Sequence, residues 1–146
     1  MDISMDSRIK IYRALLITSF VSQLLLDLLG YKGAFYNLYD EAVFNYSGHG
    51  SFISFKLSFA LYLTWALLHY VSIVLLYIFN KVSLGFAFVA LALSFIMAAI
   101  SGVWVATPPE QILGWISVFA YDIAFALALF YSPINSRIHG KLNSSA

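Results

Sequence analysis

Phe52 to Phe79 reads FISFKLSFALYLTWALLHYVSIVLLYIF, an apolar run interrupted by polar groups at regular intervals. Ser58, Tyr62, Trp65, His69 and Ser72 recur at spacings of four, three, four and three. On a helix those spacings put all five on one face, so a lipid-soluble rod carries a polar seam with an ionisable histidine near its middle. Lipid cannot solvate that seam, and other parts of the chain are expected to cover it.

Composition agrees with this membrane reading. The 146 residues are 62% apolar and only 10% charged, and the mean hydropathy is +0.85. Soluble domains carry roughly 25% charged residues. Each spanning helix needs about 20 apolar residues and must pair its backbone groups internally. The expected fold class is therefore all-α: a single domain forming an antiparallel bundle of four transmembrane helices.

Working outward, TM1 covers about residues 11–29. Arg8 and Lys10 before it, with Arg13 one turn inside the run, resemble the basic region of a signal peptide, but the apolar run is long and contains Gln23 and Asp27. It also lacks a small-x-small cleavage site, so it reads as a retained helix. An aromatic outer loop, 30–52, follows. Within it Phe35, Leu38, Tyr39, Ala42, Val43 and Tyr46 share one helical face, the pattern of a short helix lying in the headgroup layer.

TM2 covers about 53–79, and Asn80 to Ser83 makes a tight hairpin into TM3, about 84–106. TM3 contains no charged residue and repeats small residues every fourth position: Ala90, Ser94, Ala98, Gly102 and Ala106. Such spacing lets a neighbouring backbone approach closely. Pro108 and Pro109 end TM3. TM4, about 112–131, carries a matching stripe of Ala120, Ala124, Ala128 and Ser132, so TM3 and TM4 are expected to pack as a close pair. A basic tail, 132–146, closes the chain.

Six of the eight Lys and Arg residues, Arg8, Lys10, Arg13, Lys81, Arg137 and Lys141, fall on one side of this topology, with Lys32 and Lys56 on the other. The positive-inside rule then places both termini in the cytoplasm.

Three ionisable groups lie within the spans: Asp27, His69 and Asp122. A carboxylate at mid-membrane costs about 2.5–3.5 kcal/mol on insertion scales, so Asp122 must be neutral, paired or wet. It lies roughly opposite the alanine stripe of TM4, on a face with Trp115, Val118, Phe119 and Phe125. At 1.5 Å per residue its depth differs from that of His69 by roughly 5 Å, which makes a buried His69–Asp122 contact the specific expectation. Ser19, Gln23 and Asp27 add a four-residue ladder on TM1. With Tyr62, Trp65, His69 and Asp122 they form the candidate polar network. It reads either as a set of satisfied interhelical hydrogen bonds or as a relay of exchangeable protons.

Other chemistries find little support. A net charge of +1 and the lack of a basic stripe argue against nucleic acid as a partner. With no cysteine there is no thiolate site. The other histidines, His49 and His139, fall outside the spans, so bis-histidine haem is not expected. Asp40, Glu41 and His49 match no known ligand spacing, and no cofactor or metal is implied. Asn45-Tyr46-Ser47 is a glycosylation sequon, meaningful only in a eukaryotic secretory host. No nucleophile-elbow, zinc-protease, P-loop or dinucleotide motif occurs. Two function classes follow. One is a non-catalytic accessory or anchoring subunit, partnered by the bilayer and by other membrane subunits or copies of itself. The alternative is a proton-coupled transporter or channel protomer using Asp122 and His69; a membrane enzyme with His69 as acid and base ranks third.

Overall fold

A computed structural model describes residues 5–31, 55–100 and 108–140. The expected interfacial helix, Gly102, Ala106 and the Asp40/Glu41/His49 group lie outside them. The described residues form five helices: α1 (Met5–Tyr31), α2 (Phe55–Tyr77), α3 (Ser83–Ile100), α4 (Pro108–Phe130) and α5 (Ser132–Ile138). The first four are long and apolar enough to cross a membrane.

Boundaries depart from the sequence reading where local chemistry allows a helix to run on. TM1 gains a turn and a half before Ile11, because Met5 to Lys10 contains no helix breaker and Arg8 finds a partner in Tyr131 Oη at 2.5 Å. α4 starts at Pro108 instead of Ile112, since a proline in the first turn gives up no intrahelical bond. Part of the expected tail is helix α5. It opens at Ser132, with Pro133 in its first turn, after a break at Tyr131, and Asn135 Nδ2 donates to the carbonyls of Ala128 (3.0 Å) and Leu129 (3.3 Å), which the end of α4 leaves free.

Packing corrects the expected pairing of TM3 with TM4. The main contacts are α1 on α4 and α2 on α3, while α3 and α4 meet only lightly. One such meeting is the edge-on contact of Phe88 with Phe125, at 5.1 Å between ring centroids. Ala120, Ala124 and Ala128 are buried, as the stripe implied, but the core that Ala124 and Ala128 join holds Tyr12 and Leu16 of α1. Large side chains seat against small ones, and α1 supplies the large ones. α3 is held to α2 by the short hairpin: its Ala87 and Ala90 are buried, Ser94 is half-buried, and Ala98 is exposed.

The α2–α3 hairpin shows how the basic end is built. Phe79 occupies the left-handed region at φ 55. Its N–H donates to the Leu76 carbonyl (3.1 Å), and the Asn80 N–H donates to that of Leu75 (2.9 Å). This is the Schellman closure, in which the left-handed position is usually glycine. Here the position is phenylalanine, and its ring stacks on Tyr12 at 5.6 Å and receives the guanidinium groups of Arg13 (5.3 Å) and Arg137 (5.9 Å), contacts that offset the left-handed strain. Tyr12 Oη donates to the Leu76 carbonyl at 3.3 Å, tying α1 to the same helix end.

Two predictions follow from this packing. Ala124→Leu should destabilise the protein in detergent by about 1–3 kcal/mol through overpacking, whereas Ala98→Leu, on an exposed face, should change unfolding by less than about 0.5 kcal/mol. Phe79→Ala should cost about 1 kcal/mol more than Phe79→Gly, because alanine loses the ring contacts yet keeps the left-handed penalty. Denaturant titrations of the four variants check both, and equal losses at position 79 would refute the second.

Candidate functional site: a polar network between α1, α2 and α4

The polar seam of α2 turns inward. Tyr62 and Trp65 are half-buried, while His69 and Ser72 are buried; the Ser58 side chain is not among the described ones. Opposite it lies the four-residue ladder of α1, with Ser19 and Gln23 buried and Asp27 partly so.

Asp27 is the hub. Its Oδ1 accepts hydrogen bonds from Tyr62 Oη and from Gln23 Nε2 (2.9 Å), and its Oδ2 accepts one from Tyr70 Oη at 2.5 Å. Three donors from two helices thus converge on one carboxylate, the arrangement that makes an intramembrane acid tolerable. The Tyr70 ring also packs edge-on against Phe20 of α1 at 5.2 Å.

One turn toward the basic end, His69 lies in an aromatic box. Its ring stacks on Trp65 (5.1 Å, 16°) and tilts against Tyr121 of α4 (4.5 Å, 53°), and Tyr62 packs beside Trp65 at 5.8 Å. His69 Nε2 is buried with no hydrogen-bond partner among the described residues. Ser72 Oγ hydrogen-bonds with Tyr121 Oη at 2.7 Å and donates to the His69 carbonyl at 2.8 Å. On the α1–α4 side, Ser117 Oγ donates to the Ser19 carbonyl at 3.2 Å, with the two hydroxyls 3.3 Å apart. A hydroxyl that reaches a neighbouring helix's backbone reflects the close approach that small residues permit.

The network therefore brings together Gln23, Asp27, Tyr62, Trp65 and His69 but leaves out Asp122. Asp122 is exposed, between exposed Phe119 and Ile123, and no described side chain pairs with it. The expected His69–Asp122 contact is not formed. Neighbouring positions on a helix point about 100° apart, and it is Tyr121 that turns toward α2. Of the residues grouped with Asp122 on one face, Trp115, Val118 and Phe119 are exposed with it, while Phe125 is buried.

Tyr70, Ser117 and Tyr121 were not among the sequence candidates. Tyr70 lies eight residues from Tyr62, about 12 Å along the axis, so their convergence on Asp27 is not readable from spacing. Tyr121 carries no signal either, since an aromatic residue inside an apolar span reads as packing. No group of three or more His, Cys, Asp or Glu residues able to hold a metal ion occurs among the described residues.

No known protein family, curated protein or solved structure matches the chain.

Tyr70→Phe and Tyr62→Phe should each lower stability by about 0.6–1.7 kcal/mol, the range of interhelical hydrogen bonds in lipid. In an Asp27→Leu background both should become nearly neutral, because the shared acceptor is gone. Asp122→Leu should leave the isolated protein's stability unchanged or raised. A double-mutant cycle measured by unfolding in detergent tests these outcomes, and additive losses would contradict the hub role of Asp27.

Proposed function

We propose that the chain is a non-catalytic accessory or anchoring subunit of a larger membrane complex. In this reading it is an antiparallel four-span bundle with both termini in the cytoplasm and the 30–52 loop outside. The observation that carries the reading is Asp122. It stands about 5 Å from the middle of α4, faces away from the bundle and has no partner among the described residues. Intramembrane carboxylates face protein or water, since lipid offers neither donor nor countercharge. A surface that bears one is a surface the assembled complex covers.

α3 supports the same reading. Phe86, Phe88, Val89, Phe95 and Ile96 are exposed along it, and so are the small residues Ala92, Ala98 and Ala99. Small side chains toward the outside leave room for another helix.

Proton-coupled transport is the second reading, and a specific observation keeps it: the buried, unpartnered Nε2 of His69 beside the Asp27–Tyr70 pair. Here Asp27 takes the acidic role that the sequence suggested for Asp122.

Purification in mild detergent separates the two. The subunit reading expects a partner at fixed stoichiometry and no proton flux from the purified chain in liposomes. The transport reading expects flux that Asp27→Asn and His69→Gln each abolish. Flux without a stoichiometric partner would overturn the first reading, and a partner without flux would overturn the second.

A further inference from the structure

Resting on the subunit reading, we infer that Asp122 is the docking point for a transmembrane helix of a different protein that carries a lysine or arginine at mid-membrane depth.

The acceptor surface is defined by side chains. Trp115, Val118, Phe119, Asp122 and Ile123 are exposed along α4, on the side away from the buried alanine stripe. Among the exposed residues of this face Asp122 is the one charged group, so a helix seated there meets a single charge in a largely hydrocarbon setting. Charge complementarity then sets the identity of the partner. A neutral donor leaves the anion uncompensated, whereas a cation at the same depth removes both desolvation problems in one contact.

A second copy of the chain does not meet this requirement. Within the described residues the cations Arg8, Lys10, Arg13, Lys56, Lys81 and Arg137 all sit beyond helix ends or within the first three turns or the last turn of a helix. Arg8, Arg13 and Arg137 are also engaged with Tyr131, Tyr77 and Phe79. Copies in one membrane related by an axis along its normal keep equal depths, so a two-fold pair brings Asp122 against Asp122. Trp115 lies about 10 Å away in depth, and exposed Thr18 offers a hydroxyl without charge. Among the described residues no cation of a second copy supplies the complementary charge, which points to another chain.

The test uses a synthetic polyleucine helix of about 20 residues with one central lysine. It is reconstituted with the full-length protein in phosphatidylcholine vesicles, and association is read by energy transfer. The chain contains no cysteine, so a Val82→Cys variant carries the fluorophore at a unique exposed site in the α2–α3 hairpin, away from the acceptor surface. The lysine helix should associate about tenfold more tightly than the all-leucine helix, a factor within reach of one interhelical polar contact in lipid. Asp122→Ala should erase the difference while leaving the helical content and unfolding midpoint intact.

Equal association of the two helices, or a preference that survives Asp122→Ala, would overturn the inference. So would Asp122-dependent crosslinking between two copies of a separate Phe119→Cys variant. Failure of the subunit reading is seen separately: it falls if no stoichiometric partner is recovered from membranes. If a partner is recovered equally with Asp122→Ala, that reading stands and the docking point does not.

Discussion

An acid inside an apolar bundle has to be answered by donors from its own protein, and the way Asp27 is answered organises this molecule. Tyr62 and Tyr70 of α2 and Gln23 of α1 give the carboxylate three donors. Meeting that demand fixes the rotation of both helices: α1 must present Gln23 and Asp27 inward, and α2 must turn its polar seam toward them. Once α2 is so rotated, His69 and Ser72 point into the bundle and meet Tyr121 of α4. The α1–α4 contact closes the set through Ser19 and Ser117. In lipid, where apolar surface gives helices little reason to prefer one another, a few directional contacts can set such an arrangement.

The two intramembrane carboxylates form an instructive pair. Asp27 is held by three donors, and Asp122, one residue past the inward-facing Tyr121, has none among the described residues. Similar chemistry at similar cost is thus resolved inside the bundle in one case and presented at its surface in the other. That asymmetry favours an assembly over a self-contained bundle. The basic end resembles the satisfied case: Arg13 and Arg137 lie over aromatic rings, Arg8 bonds to Tyr131, and the hairpin accepts a left-handed phenylalanine to provide one of those rings.

The polar candidates on α1 and α2 were legible in the sequence because helical periodicity projects directly onto faces. Gln23 and Asp27 at four-residue spacing, and Tyr62, Trp65, His69 and Ser72 along one stripe, need only 3.6 residues per turn to be grouped. Tyr121 was hidden for the opposite reason: its role depends on which side of α4 meets α2, and an isolated helix has no information on that. The misassigned His69–Asp122 contact came from the same gap. Depth along the membrane is readable from residue counts, but rotation about the helix axis is not.

The sequence by itself determined the four apolar helices, the class of protein and the inward polar seam, because hydropathy and backbone satisfaction in lipid leave a chain few other choices. Only the tertiary structure decided which helices pair. The alanine stripes of TM3 and TM4 are equally good sockets as sequence, and what fills a socket is the shape of the neighbour. Tyr12 and Leu16 of α1 joined the stripe of α4, while the hairpin held α3 to α2 and left Ala98 and Asp122 facing outward. Shape complementarity among side chains distant in sequence decides such a choice, and no local pattern encodes it.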